Sequence, residues 1–320
     1  MSGFDLTTLL RTVVPDMMPC GVNRWQFSLD PRASECASIQ LVPQWAIFRV
    51  ALPHRLTYAP SPMAAIQRQM VYSGNVKLVT EHSRLELRAE APLNVQTVDD
   101  RDWTMRQIGE VILGLRVAAA DRPPEISADA DNSSDADPEL LADRCRATGW
   151  HAVVKADGEI HVDIEPRSVP RVISIKWEKS SLRARVILAD GELAQAGDES
   201  RTAAAHFLLR ASSSLRFARA WVSGPAAFPA EAGFECTIAT CASDSPLVAA
   251  IDAIATACDL FGCEFEALVE SPALARQYLR AAQGARGSVA QPVTPLHAPT
   301  TAPVLPRAAA AAVVCFPPNP

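Results

Sequence analysis

The chain of 320 residues is poor in glycine, with only 14, and in aromatic residues, which make up 6%. No G-x-G-x-x-G or phosphate loop is present, so a nucleotide cofactor has no anchor and no cofactor is expected. No stretch approaches the ~20 consecutive apolar residues that span a bilayer, and no basic segment followed by an apolar one opens the chain. The reading is a cytoplasmic protein with no membrane contact. A basic excess is also missing. Net charge is −6 overall, distributed as +1 over residues 1–120, −5 over 121–137, −4 over 138–284 and +2 beyond. Without a basic stripe to condense on phosphate, nucleic acid is not expected as a partner.

A strand-then-helix unit is present, and it is written twice. Leu85, Leu87 and Ala89 alternate with Arg84, Glu86, Arg88 and Glu90, the period of a strand with one buried and one wet face. Asp99 and Asp100 offer helix caps, and Met105, Ile108, Val111, Ile112 and Leu115 form an apolar stripe. In the second copy Phe234, Cys236 and Ile238 alternate with Glu235 and Thr237. Ser245-Pro246 caps and opens a helix whose stripe runs through Val248, Ile251, Ile254, Ala255, Cys258 and Phe261.

The flanking segments extend the repeat. Leu6 to Val14 reads as a helix, Trp25 to Leu29 as a strand, and Ile39 to Leu52 as one or two strands broken near Pro43. Ser61-Pro62 opens a helix, followed by a hairpin from Asn75 to Ala91. After an acidic stretch the order returns. Asp137-Pro138 caps a helix and Asp157-Gly158 marks a hairpin turn. Val172 to Trp177 and Leu182 to Leu188 pair, and Ser200 to Leu215 is a helix. Phe217 to Val222 is a strand, and Ser271-Pro272 opens a last helix. The fold class is α+β: two related domains, each an antiparallel sheet packed with helices. They span 1–120 and 138–284, joined by a flexible acidic linker at 121–137 and followed by a disordered Pro/Ala-rich tail at 285–320.

Helix, strands, helix, two strands, helix resembles the fold shared by the YbjN family and the type III secretion chaperones. The resemblance rests on element order over residues 1–120 and 138–284 and carries no functional residue with it. It implies domains that dimerise and present surface to a partner polypeptide. Two copies in one chain then imply a pseudo-dimer, a protein partner and a chaperone-like function without catalysis. The alternatives are a scaffold displaying its linker and tail, or an enzyme using cysteine or histidine.

Site candidates are few. Cys236, Cys241, Cys258 and Cys263 form two C-x4-C pairs. Residues five apart point to opposite faces of a strand and lie ~140° apart on a helix, so the reading is buried thiols and no metal. His151, His161, His206 and Cys145 stand in no nucleophile motif, so no catalytic residue is assigned. Alternation places Phe217, Arg219 and Trp221 on one strand face, and Trp45 and Arg49 on another. Trp beside Arg has the composition of a partner-binding hot spot. The competing reading is that the rings are core and the arginines reach water along their stems.

Overall fold

The computed structural model describes residues 6–29, 36–51, 62–70, 72, 74–81, 84–93, 97–119, 137–165, 169–178, 181–225, 229–239 and 245–287. The linker other than Asp137, the tail beyond Gly287 and Cys241 lie outside them.

The first half begins with α1 (Leu6–Val13) and four strands: β1 (Met18–Gly21), β2 (Arg24–Ser28), β3 (Cys36–Val42) and β4 (Trp45–Ala51). A crossover helix α2 (Pro62–Gln69) leads to β5 (Lys77–Glu81), β6 (Arg84–Pro92) and the long α3 (Val98–Ala119). The second half runs α4 (Pro138–Ala147), β7 (His151–Val154), β8 (Ile160–Ile164), β9 (Arg171–Glu178) and β10 (Ser181–Asp190). It continues with the single turn α5 (Glu192–Gln195), the crossover helix α6 (Asp198–Ser214), β11 (Arg219–Val222), β12 (Glu231–Ala239), α7 (Ser245–Glu270) and α8 (Pro272–Gly287).

Strand order is the same in both halves. The first sheet is β1-β2-β3-β4-β6-β5 and the second is β7-β8-β9-β10-β12-β11, all antiparallel. In each, the strand after the crossover helix takes the edge, and the next strand turns back to lie inside it. The two repeated units of the sequence, β6–α3 and β12–α7, occupy equivalent places. The fold is α+β, in two sheet-plus-helix parts.

Each sheet packs one face on helices. In the first half Phe27, Ile39, Phe48 and Leu87 meet Leu9 and Leu10 of α1 and Ile108, Val111 and Leu115 of α3. In the second, Ile173, Val186 and Phe234 meet Leu141 of α4, Leu208 of α6 and Ile251 and Ile254 of α7. Period-two and period-3.6 apolar patterns fix which faces these are.

Several boundaries differ from the sequence reading. Each half has four strands before the crossover helix, not two or three; in the first half the unread strand is β1, which is exposed along its whole length and shows no alternation. The α3 cap is Thr97, not Asp99 or Asp100. Its hydroxyl accepts from the Asp100 N–H at 3.1 Å, and Asp100 Oδ2 accepts from the Thr97 N–H at 3.0 Å, a reciprocal box that satisfies two orphan donors. At α4 the cap is the expected one, with Asp137 accepting from the Glu139 N–H at 2.9 Å. The strand expected from Phe217 starts at Arg219. Phe217 has φ +63° and sits in a three-residue turn closed by Ala218 N–H to Arg216 C=O at 2.7 Å. Finally, Pro246–Glu270 of α7 is long and apolar enough to cross a membrane by length and composition, which the sequence reading missed. In the fold it covers β10 and β12 and packs on α6, with Ile251 and Ile254 fully buried.

Candidate functional site: the junction and the outer sheet faces

The face of each sheet turned away from its own helices holds the candidate residues. In the first sheet Arg49 pairs with Arg88, which pairs with Lys77, and Ile47 pairs with Glu90. In the second, Arg219 pairs with Glu235, Glu235 with Arg185, Arg185 with Ser174, and Ser174 with His161. Trp221 pairs with Gly233 and so shares the face of Arg219.

The two halves cover part of these faces for each other. α2 packs on β11 and α6, and α6 packs on β5. Arg219 is buried there. Its Nε donates to Glu235 at 2.9 Å, and its Nη1 donates to the carbonyls of Gln69, Tyr72 and Val76 at 2.8, 2.8 and 3.0 Å. Lys77, also buried, lies 3.0 Å from Glu90 and donates to the carbonyls of Leu215 and Ala218 at 2.5 and 3.2 Å. Asn75 Nδ2 donates to Thr237 O at 2.8 Å while its Oδ1 accepts from Thr237 N at 2.5 Å. Gln69 does the same across two chain segments, accepting from Leu78 N at 3.0 Å and donating to Ala220 O at 2.8 Å. On α3, Trp103 Nε1 donates to Ala239 O at 2.9 Å and Gln107 Oε1 accepts from Ala239 N at 3.1 Å.

Four of the five sequence candidates lie around this junction. Phe217 and Trp45 meet, ring centroids 6.0 Å apart, with Arg216 5.9 Å above the Trp45 ring. Trp221 is buried beside Arg219. Its Nε1 donates to Val186 O at 3.1 Å, and Arg185 lies 4.6 Å over its ring. Arg49 stands apart on β4, 4.0 Å from Glu86. At Phe217, Arg219 and Trp221 the surface sought for an outside partner is occupied by the chain itself.

Lys77, Glu90, Glu235, Asn75 and Gln107 were not singled out from sequence. Glu90 alternates with Leu87 and Ala89 and reads as wet, yet the second half buries it. Gln107 did leave a trace: it stands four residues before Val111, in line with the apolar stripe of α3.

Burial pushes the Glu235 carboxyl up, but the guanidiniums of Arg219, Arg185 and Arg183 more than offset this and hold its pKa below the usual value. Burial acts likewise on Glu90, where Lys77 and Arg88 outweigh it and the net shift is again downward. Lys77 is lowered from 10.5 to about 8, because burial outweighs the attraction of Glu90. All three folded values lie below the unfolded ones. The carboxylates therefore contribute stability above pH ~4.3, lost as pH falls through their folded values. The Lys77 contribution grows from pH 8 to 10.5, by up to about 3 kcal/mol. Urea midpoints measured across pH 3–10.5 should fall at the acid end, and in Lys77→Met the component rising above pH 8 should vanish. A variant with the alkaline limb of the parent would contradict this assignment.

Beyond the junction the outer face of the second sheet stays open over β7 to β10. Val153, Val172 and Ile187 are 42, 43 and 36% exposed there. They are interspersed with ion pairs: His151 Nδ1 lies 2.5 Å from Asp163, and Lys176 pairs with Glu159. Ser174 Oγ donates to Glu159 Oε1, and His161 Nε2 lies 3.1 Å from the same oxygen. The carboxylate thus sits between hydroxyl and imidazole. A nucleophile needs its hydroxyl on the imidazole, so this is not a relay. Burial, then Lys155, lowers the His161 pKa. Cys145 is buried in α4, whereas His151 is exposed on β7 with Asp163 beside it.

Burial pushes the Cys258 thiol up to about 12 and the Cys236 thiol still further. Cys236 Sγ donates to Phe217 O at 3.3 Å, and Cys263 is exposed. Among the described residues no three or more His, Cys, Asp or Glu side chains are grouped to hold a metal ion. No family model matches the chain, and neither a curated protein nor a solved structure does.

Proposed function

We propose that the chain is a non-catalytic, chaperone-like protein that binds a partner polypeptide, built from tandem domains like those of YbjN and the type III secretion chaperones. The observation that carries this reading is the open outer face of β7 to β10. Three β-branched side chains stand exposed on it between charges that already have partners, so a docking polypeptide buries apolar surface without stranding a charge. The shared strand order of the two halves supports the tandem-domain element.

The test compares the parent with a Val153→Ser, Val172→Ser, Ile187→Ser variant in pull-downs from native lysate. Surface changes of this kind alter stability by ~0.5 kcal/mol or less each. The parent should retain one dominant client, and the variant should lose it, since hot-spot contacts contribute ~2 kcal/mol or more. Equal recovery by both proteins would remove this face from consideration.

A further inference from the structure

We infer that the junction is a subunit-type interface closed inside one chain: each half carries a docking surface whose partner is the other half, and the two remain assembled when the peptide joining them is cut.

The contacts are reciprocal. The edge strand of each sheet is covered by the crossover helix of the other half, β11 by α2 and β5 by α6, and the two helices meet each other. Both edge strands begin with a buried cation, Lys77 on β5 and Arg219 on β11. Lys77 donates to the carbonyl of Ala218, the residue before Arg219, at 3.2 Å. Arg219 donates to the carbonyl of Val76, the residue before Lys77, at 3.0 Å. Each cation also takes carbonyls near the end of the opposing crossover helix, Leu215 for Lys77 and Gln69 for Arg219. Cations are favoured at helix C-termini, where the last carbonyls lack partners. Each is neutralised by a carboxylate on the neighbouring strand of its own half, Glu90 and Glu235. Residue i meets the segment of j while j meets the segment of i, which is the signature of an isologous dimer contact.

Direct bonds join the halves without help from the connecting peptide. The Asn75 carboxamide holds both backbone groups of Thr237. Trp103 and Gln107 hold both backbone groups of Ala239. Met63 and Ile66 of α2 are buried in the core of the second half. A covalent tether raises the effective concentration of the halves but adds no contact. Association therefore outlasts its removal.

The experiment produces the chain as two polypeptides in one cell, divided within 120–136, with an affinity tag on the first. The expected result is co-purification at one to one, with the complex close to the mass of the unbroken chain. A tagged piece that emerges without its mate, or a pair of which neither accumulates, overturns the inference. A second measurement uses Asn75→Gly, which removes both bonds to Thr237 yet allows the φ of +58° at that position. In the divided form it should weaken association at least tenfold, while the unbroken variant still melts cooperatively. Unchanged affinity would show that the junction is not the surface holding the pieces. Neither result depends on whether the open face of β7 to β10 binds a client.

Discussion

Replacing Arg219 with methionine should lower the stability of the chain by about 3–5 kcal/mol, the cost of breaking a buried ion pair from one side. The substitution keeps the length and apolar stem of the side chain, so lost packing contributes little. What it removes is the only charge on β11 facing Glu235, leaving that buried carboxylate with Arg185 at 2.8 Å. It also removes the donor shared by the carbonyls of Gln69, Tyr72 and Val76. The Gln69 carbonyl keeps the Tyr72 N–H at 3.2 Å, and a buried group left without any partner costs about 1–3 kcal/mol. Urea unfolding measures the loss directly, and the melting temperature should fall by roughly 10 °C. Lys176→Met, which removes an exposed ammonium on the same sheet face and leaves Glu159 with Ser174 and His161, should change stability by about 1 kcal/mol or less. Equal effects of the two substitutions would mean that Arg219 is not held as the structure shows.

Trp221→Ala should cost about 3–5 kcal/mol of folding, the range for removing a buried aromatic side chain. Its partner on β12 is Gly233, which lies close against the β10 backbone. A Cβ at Gly233 would come within 2.0 Å of Val186 O, the oxygen that accepts the indole N–H. The register of β10 and β12 shifts just beyond, between Ile187 and Ala189. Removing the indole opens a void beneath Arg185 and takes the indole donor from the Val186 carbonyl. Thermal unfolding and binding assays on this variant separate two roles. A collapsed melting transition is expected for a buried ring. An intact transition with lost client binding would instead make Trp221 a contact residue for an outside partner.

Much of the fold was legible because its signals are local. Alternation in β6 and β12 and the stripes of α3 and α7 fixed their types, and proline after a cap residue marked α2, α4, α7 and α8. The same alternation correctly sorted Arg219 with Trp221 and away from Ala220. What local pattern cannot report is which wet face another part of the chain will cover. Glu86, Arg88 and Glu90 look alike in sequence. Only Glu90 lies wholly under the 215–218 segment of the other half, where the Phe217 N–H reaches its carboxylate at 3.4 Å. The junction was invisible for the same reason. Its bonds join residues some 130–160 positions apart, as Asn75 and Thr237 do across 162. β1 escaped notice because four exposed residues, one a proline and one a glycine, carry no periodicity.

The buried place of Met63 and Ile66 has a consequence for synthesis on the ribosome. These side chains of α2 belong to a core whose strands begin at His151 and end at Ala239. When α3 is complete at Ala119, roughly 120 residues must still be made before β12 is available. At ~5–20 residues per second this leaves α2 and the free edge of β5 uncovered for about 6–24 s on each nascent chain. Such an edge is a template for pairing with other strands. During that interval the N-terminal half is itself a client for holding factors, and slowing translation after α3 should lower the yield of soluble protein.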